Sequence, residues 1–329
     1  MIEGLQKNQI QKNKDGQLLI SIVVPAYDEE RSIEETLNQT YRVLADFDRR
    51  YEVIVVDDGS MDGTFGCIQN LRIKFAGLKG IRFSRNFGKE AALLAGLQAA
   101  QGDAVITMDA DLQHPPDLIP QMIAKWEEGA MVVHGIKKNA HQYSWLTRLN
   151  ADIFSRLLTR YARMDVRNST DFKLMDRIVV DIIVKQLGER LRFFRGLANW
   201  VGFYQENVYF DVTTRKAGES KWSIKSLLEL FITGVVSFTS APLRIVTILG
   251  LISLIFTLVV TLGTLWLKFH GYESLSISTI EITLMLIGSF ILIGLGILGE
   301  YVARIYDEVR RRPGYLIDLT VGFDDNKKR

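Results

Sequence analysis

Through the first half of the chain, short β-branched apolar runs alternate with stretches patterned at helical spacing. Runs 18–25, 52–56, 80–83, 104–108 and 131–134 have the length and Val/Ile content of strands buried on both faces. Between them, 31–47, 63–75, 88–100 and 116–128 read as helices. The rhythm predicts βαβ units, and so a doubly wound α/β domain on a parallel sheet with right-handed crossovers. Beyond the sheet the pattern changes. Segment 145–163 is basic and amphipathic, with Trp145, Leu149, Ile153, Phe154, Leu157, Leu158 and Tyr161 interleaved with Arg148, Arg156, Arg160 and Arg163. Segment 223–240 repeats that amphipathic pattern with Ile224, Leu227, Leu228, Phe231, Ile232 and Val235, and it leads through Pro242 into the most apolar part of the chain. It predicts an interfacial helix, whereas 145–163 suits a packed helix as well as one lying at lipid headgroups.

Runs 245–267 and 282–298 contain no Asp, Glu, Lys or Arg. Each approaches the roughly 20 residues that span a ~30 Å hydrocarbon layer. Arg244, Arg304, Arg310, Arg311, Arg312, Lys327, Lys328 and Arg329 flank their outer ends, while the connection 268–281 carries one Lys. The positive-inside rule then predicts two spans in an inner (plasma) membrane, with both termini and the α/β domain cytoplasmic. Segment 1–17 is polar, rich in Gln, Asn and Lys, and has no apolar core of a cleaved signal peptide. The expected organisation is a polar tail 1–17, an α/β domain 18–222, an interfacial helix 223–241, a two-helix anchor 242–303 and a tail 304–329. That last segment contains Tyr315, Leu316, Ile317 and Leu319, a pattern able to add a strand to a neighbouring copy.

The formal net charge of +2 argues against a polyanion-binding protein, so nucleic acid is not an expected partner. A single cysteine, Cys67, rules out an internal disulfide and a Cys-rich metal site.

The candidate chemistry sits at predicted strand ends. Asp109, Ala110, Asp111, Leu112 and Gln113 follow the run 104–108, placing two carboxylates and an amide at the mouth where open α/β sheets bind ligands. Such hard oxygen ligands suit Mg²⁺ or Mn²⁺ gripping a diphosphate. Asp57 and Asp58, before Gly59-Ser60, end the second strand, where an acid can accept hydrogen bonds from a nucleobase or ribose. Pro25, Ala26, Tyr27, Asp28 and Glu29 end the first strand; Tyr27 can pack on a base and Glu29 can hold a ribose hydroxyl. Ser84-Arg85-Asn86-Phe87-Gly88-Lys89 opens a helix, and a helix N-terminus with two cations beside it is a candidate anion site.

Together, segments 22–30, 55–63, 84–88, 109–116 and 215–221, two apolar runs ending in Glu300-Tyr301, and Arg312-Pro313-Gly314-Tyr315 resemble glycosyltransferase family 2. Within it the similarity is to the polyprenyl-phosphate branch, dolichyl-phosphate mannose synthases and two-span bacterial bactoprenol glucosyltransferases. The resemblance implies a GT-A type domain, a nucleotide-sugar donor with UDP-glucose as first expectation, a polyprenyl (undecaprenyl) phosphate acceptor, a divalent metal and inversion at the anomeric carbon. It implies that Asp109 and Asp111 touch metal and diphosphate with Gln113 completing that shell, and that Pro25, Tyr27, Glu29 and Asp57 line the nucleoside site. Arg215, in a segment that includes Ser220 and Lys221, matches a phosphate-contacting arginine beneath a loop. Lys137 and Arg148 fall near phosphate-binding positions, Lys137 being a point charge where relatives use an arginine. Asp171 lies where an acidic or backbone group approaches the acceptor; by its residues alone it serves equally as base, orienting group or turn cap. The resemblance further implies a tetramer in contact with membrane lipids, and a lipid-linked sugar calls for a flippase and a downstream transferase. A processive polysaccharide synthase is the alternative enzyme, but Arg192-Phe193-Phe194-Arg195 is followed by Gly196 rather than Trp. A silent nucleotide-sugar-binding adaptor has no need of the full acidic shell.

Overall fold

The computed structural model describes residues 18–46, 49–137, 169–186, 201–211, 241–270, 277–310 and 312–323. In chain order the α/β part runs β1 (Leu19–Ala26), α1 (Ile33–Ala45), β2 (Arg50–Asp57), α2 (Thr64–Lys74), β3 (Leu78–Phe83), α3 (Lys89–Ala99), β4 (Ala104–Thr107), α4 (Ile119–Glu127), β5 (Val132–Lys137), β6 (Ser169–Asp176), α5 (Arg177–Asp181) and β7 (Gln205–Phe210). Two long helices follow, α6 (Ala241–Phe269) and α7 (Ile277–Val309), and then β8 (Ile317–Val321).

The eight strands form one sheet in the order β7-β5-β6-β4-β1-β2-β3-β8. Its centre is the expected parallel block, with β1 between β2 and β4 and β2 against β3. These strands are buried on both faces: Val23, Val24, Ile54 and Val55 have no accessible surface, each worth about 1.5–3 kcal/mol relative to exposure. One face packs against Ile33 and Leu37 of α1, Phe65 and Ile68 of α2 and Met122 and Ile123 of α4. The other packs against Ala92, Leu93 and Ala95 of α3 and Val179 and Val180 of α5.

The expectation of a wholly parallel sheet needs correcting. Strand β6 runs antiparallel to both β4 and β5, and β8 antiparallel to β3. Strand β6 was concealed because its sequence, Ser-Thr-Asp-Phe-Lys-Leu-Met-Asp, opens on three polar residues and sets the charged but fully buried Lys173 between Phe172 and Leu174.

The 304–329 tail is corrected as well. The strand-forming pattern seen there is real, but β8 pairs with β3 of its own chain. The amide of Ser84 donates to the carbonyl of Leu316 (3.0 Å), and Tyr315 stacks on Phe83 with ring centroids 4.8 Å apart. The chain accordingly divides into an α/β unit, which segment 313–323 rejoins, and a second unit containing the two long helices.

Both apolar runs are helical, through 29 residues in α6 and 33 in α7. Counted among the described residues alone, no helix is long and apolar enough to cross a membrane. The tail 1–17 and the amphipathic segments 145–163 and 223–240 lie outside the described residues.

Candidate active site

The parallel strands deliver four loops to one edge of the sheet. After β1, Asp28 adopts a left-handed φ of 53°, which Asp tolerates better than most residues. Its amide donates to Ser60 Oγ (2.9 Å) and its Oδ1 accepts from the Met61 amide (3.1 Å). The Glu29 amide donates to Thr64 Oγ1 (2.9 Å), and the Glu29 carboxylate accepts from the Ser32 hydroxyl. The exit of β1 is thereby laced to the exit of β2. Pro25 and Ala26 are the last residues of β1, and Tyr27 stands partly exposed above them.

The two acids after β2 are largely consumed by the protein itself. Asp57 Oδ1 accepts from the amide (3.0 Å) and hydroxyl of Ser60, while Oδ2 is buried 3.6 Å from Arg82 Nε without a hydrogen bond. Burial raises the pKa of both Asp57 and Asp58. Asp58 accepts from the amides of Phe87 (2.7 Å) and Gly88 (2.9 Å). This alters the anion site expected at 84–89: two amides that would have met an external anion are already bonded to the protein's own carboxylate. The close approach requires glycine at 59, where φ is +70° and a Cβ would overlap the Arg85 backbone. Arg85 lies over the Phe87 ring at 4.6 Å, and Asn86 is exposed.

Lys89, expected beside the donor, pairs with the acid expected to touch the diphosphate and with a second one. Its Nζ lies 2.5 Å from Asp109 Oδ1 and 2.6 Å from Asp171 Oδ2. What brings it there is the close approach of α3 to the sheet, where a Cβ on Gly96 would overlap Val23. Burial works against the charges of both Lys89 and Asp109, but their mutual attraction prevails, raising the lysine's pKa and lowering the aspartate's. Asp109 Oδ1 is buried and has no well-directed hydrogen bond.

Both carboxylates are anchored through their backbones. The Asp109 amide donates to His114 Nδ1 (3.1 Å), and Thr107 Oγ1 donates to the carbonyl of Asp171 (2.5 Å). His114 supports the site in a way the sequence does not announce, because its ring partners are distant in the chain. It is buried, stacked on Phe172 with centroids 5.2 Å apart and edge-on to Phe210. Burial lowers its pKa. With Nδ1 accepting the amide, the ring is neutral, so its 3.8 Å approach to Asp109 Oδ2 is not an ion pair.

Ala110 is buried, and its carbonyl accepts from Thr36 Oγ1 (2.7 Å). Asp111 Oδ1 folds back to accept the Gln113 amide (3.1 Å), across Leu112, whose φ of 62° is a strained left-handed conformation for leucine. Lys137 Nζ reaches Gln113 Oε1 at 3.4 Å. Among the described residues no three His, Cys, Asp or Glu groups gather closely enough to hold a metal ion. The expected ligand set is two carboxylates and an amide, and it suits a hard cation: the donors are all oxygen, and buried Asp109 Oδ1 faces a positive group already. Arg148, Arg215, Ser220 and Lys221 lie outside the described residues.

Comparison with known proteins gives this geometry its class. Residues 21–181 match glycosyl transferase family 2. The chain is 40% identical to an uncharacterized glycosyltransferase of Synechocystis sp., over 93% of this chain and 96% of that one. It is 38% identical to a bactoprenol glucosyl transferase of Shigella flexneri, over 91% of this chain and 97% of the other. A solved glucosyl-3-phosphoglycerate synthase from Mycobacterium tuberculosis, in complex with Mn²⁺, UDP-glucose and phosphoglyceric acid, is 19% identical and covers 70% of this chain and 81% of that one, with a TM-score of 0.47; nothing about ligands transfers at that distance. The chain belongs to glycosyltransferase family 2 and is a glycosyltransferase.

Proposed function

We propose that the enzyme moves a hexose, glucose from UDP-glucose in the first instance, onto polyprenyl (undecaprenyl) phosphate with inversion at the anomeric carbon. The observation that carries this reading is the row Asp109, Lys89 and Asp171 at the sheet's mouth, in a chain that matches a bactoprenol glucosyl transferase over 91% of its length. A Mg²⁺ or Mn²⁺ ion held by Asp109, Asp111 and Gln113 would supply positive charge to the departing diphosphate.

The remaining work falls to the chain's own groups. Tyr27 and Glu29 line the nucleoside end, and the buried Asp57 sets the loop that carries them. Displacement builds cationic character on the sugar and negative charge on the leaving phosphate, so fixed charges facing that position are the main catalytic resource. A phosphate monoester has a second pKa near 6 and is largely dianionic at neutral pH, so this acceptor needs no strong general base. Asp171, engaged by Lys89, suits orientation of the acceptor better than proton removal.

A polyprenyl phosphate is delivered at a lipid surface, and the helical unit has the surface for it. On α6 and α7, Ile248, Leu258, Leu284 and Leu292 are 56%, 59%, 70% and 70% exposed, an apolar area that water does not favour. Helices of 29 and 33 residues have lengths of about 44 and 50 Å at ~1.5 Å per residue. We read them as two spans in the plasma membrane, with the catalytic unit on the cytoplasmic side.

The test is transfer of radiolabel from UDP-glucose to undecaprenyl phosphate, measured in the organic phase, with Asp109→Asn as control. Label in the lipid fraction that Asp109→Asn abolishes supports the reading. Absence of lipid-linked product across a panel of nucleotide-sugars rejects it, and a long polymer instead would assign the chain to the synthases.

A further inference from the structure

We infer that Lys89 is an exchangeable counter-ion: its ammonium holds the place of the divalent cation on Asp109 and is handed to Asp171 when the cation binds. The inference rests on the metal assignment proposed above. Lys89 opens α3, the positive end of a helix dipole and an unfavourable position for a cation, so its head group needs compensation from elsewhere. Two carboxylate oxygens supply it, both within 2.6 Å of one nitrogen.

The three partners differ in freedom. Asp109 is tied through its amide to the buried His114, and Asp171 through its carbonyl to Thr107. Those bonds fix where the backbone beneath each carboxylate stands. The lysine side chain is 40% exposed on a flexible four-carbon stem and is the member free to move. Without it, two nearby carboxylates would lose the cation they share. With a divalent ion on Asp109 and Asp111, the ammonium would be repelled from Asp109 and retained by Asp171 alone. Lys89 is thus a positioning residue that connects occupancy of the metal site to the state of the acceptor-side carboxylate.

Neutralising Lys89 and neutralising Asp171 should consequently have opposite effects on cation binding, a pattern that loss of structure does not produce. The experiment is a Mn²⁺ titration of the full nucleotide-free chain in detergent, with free ion read by electron paramagnetic resonance. Lys89→Met should bind Mn²⁺ roughly three- to tenfold more tightly than the unmodified protein, the range expected for removing one partly solvated like charge. Asp171→Asn should bind it more weakly by a similar factor, because the ammonium then has only Asp109. Lys89→Gln carries the same expectation as Lys89→Met should the latter fold poorly. If Asp109→Asn abolishes Mn²⁺ binding while both Lys89 variants bind as the parent does or more weakly, the counter-ion role is overturned and the metal assignment stands. If no Asp109-dependent Mn²⁺ binding exists, both fall.

Discussion

Two carboxylates at opposite ends of the sheet, the buried Glu52 and the half-buried Asp109, are both held by a lysine, and they differ in how the remainder of their bonding is met. At the amino end of the parallel strands, Glu52 Oε1 accepts from Ser21 Oγ (2.6 Å) and the Gln101 amide (2.7 Å), and Oε2 meets Lys79 Nζ at 2.6 Å. The Ser21 hydroxyl oxygen in turn accepts the Gly102 amide (2.7 Å). At the opposite end, Asp109 Oδ1 has the ammonium of Lys89 and no well-directed hydrogen bond. Burial opposes ionisation in both, and both pKa values are nevertheless lowered, by Lys79, Ser21 and Gln101 at Glu52 and chiefly by Lys89 at Asp109. A carboxylate saturated by neighbours on three strand ends is architecture. One with a buried oxygen reserved for a single mobile charge is equipped for exchange.

The sharpest way to separate the two is to neutralise each. Asp109→Asn is expected to lower glycosyl transfer by at least roughly 100-fold, about 3 kcal/mol of transition-state stabilisation, while urea midpoints move little. Glu52→Gln should do the converse. It leaves Lys79 unpaired and disturbs a buried network, for a stability loss of about 2 kcal/mol in urea unfolding, with transfer per folded molecule unchanged. Because the folded pKa of Glu52 is depressed, its contribution is present above the unfolded value and lost as pH falls through the folded one. The two unfolding curves should therefore converge on acidification; a gap that persists in acid would deny Glu52 its role.

His134 gives a slightly smaller effect of opposite origin. Burial first, then Lys173, pulls its pKa down to about 4, and its Nε2 pairs with Gln205 Oε1 (2.9 Å). The unfolded chain binds this proton more readily, so stability falls as pH drops below about 6.5, by just under about 2 kcal/mol at pH 5. Thermal melts of His134→Gln should show a shallower decline over that interval; a slope equal to the parent's would exclude His134. Smallest is Leu112→Gly, which relieves a left-handed leucine and should stabilise by about 1 kcal/mol at most while leaving Asp109 held by Lys89.

The parallel block was readable because its strands are continuous apolar runs and its helices keep one period. Strand β6 was not, since Asp171 and Lys173 are charged residues that only the surrounding fold can compensate, and no local pattern announces that. The acidic motif at 109–113 was visible by composition and position. The employment of Asp58 by the 87–88 amides, the support of Asp109 by His114, and the joining of Lys89 to Asp171, 82 residues away, are long-range pairings that exist only once the sheet order is set. Sequence shows which groups have chemistry; topology decides which of them are already occupied.

The return of β8 to the edge of β3 also dictates a timetable. Both long helices are synthesised before the last strand of the catalytic sheet exists, so β3 waits through that interval with an open edge. Completion of the α/β unit is subordinated to synthesis of the helical unit, and a nascent protein halted in between would be the form most prone to pair with the wrong neighbour.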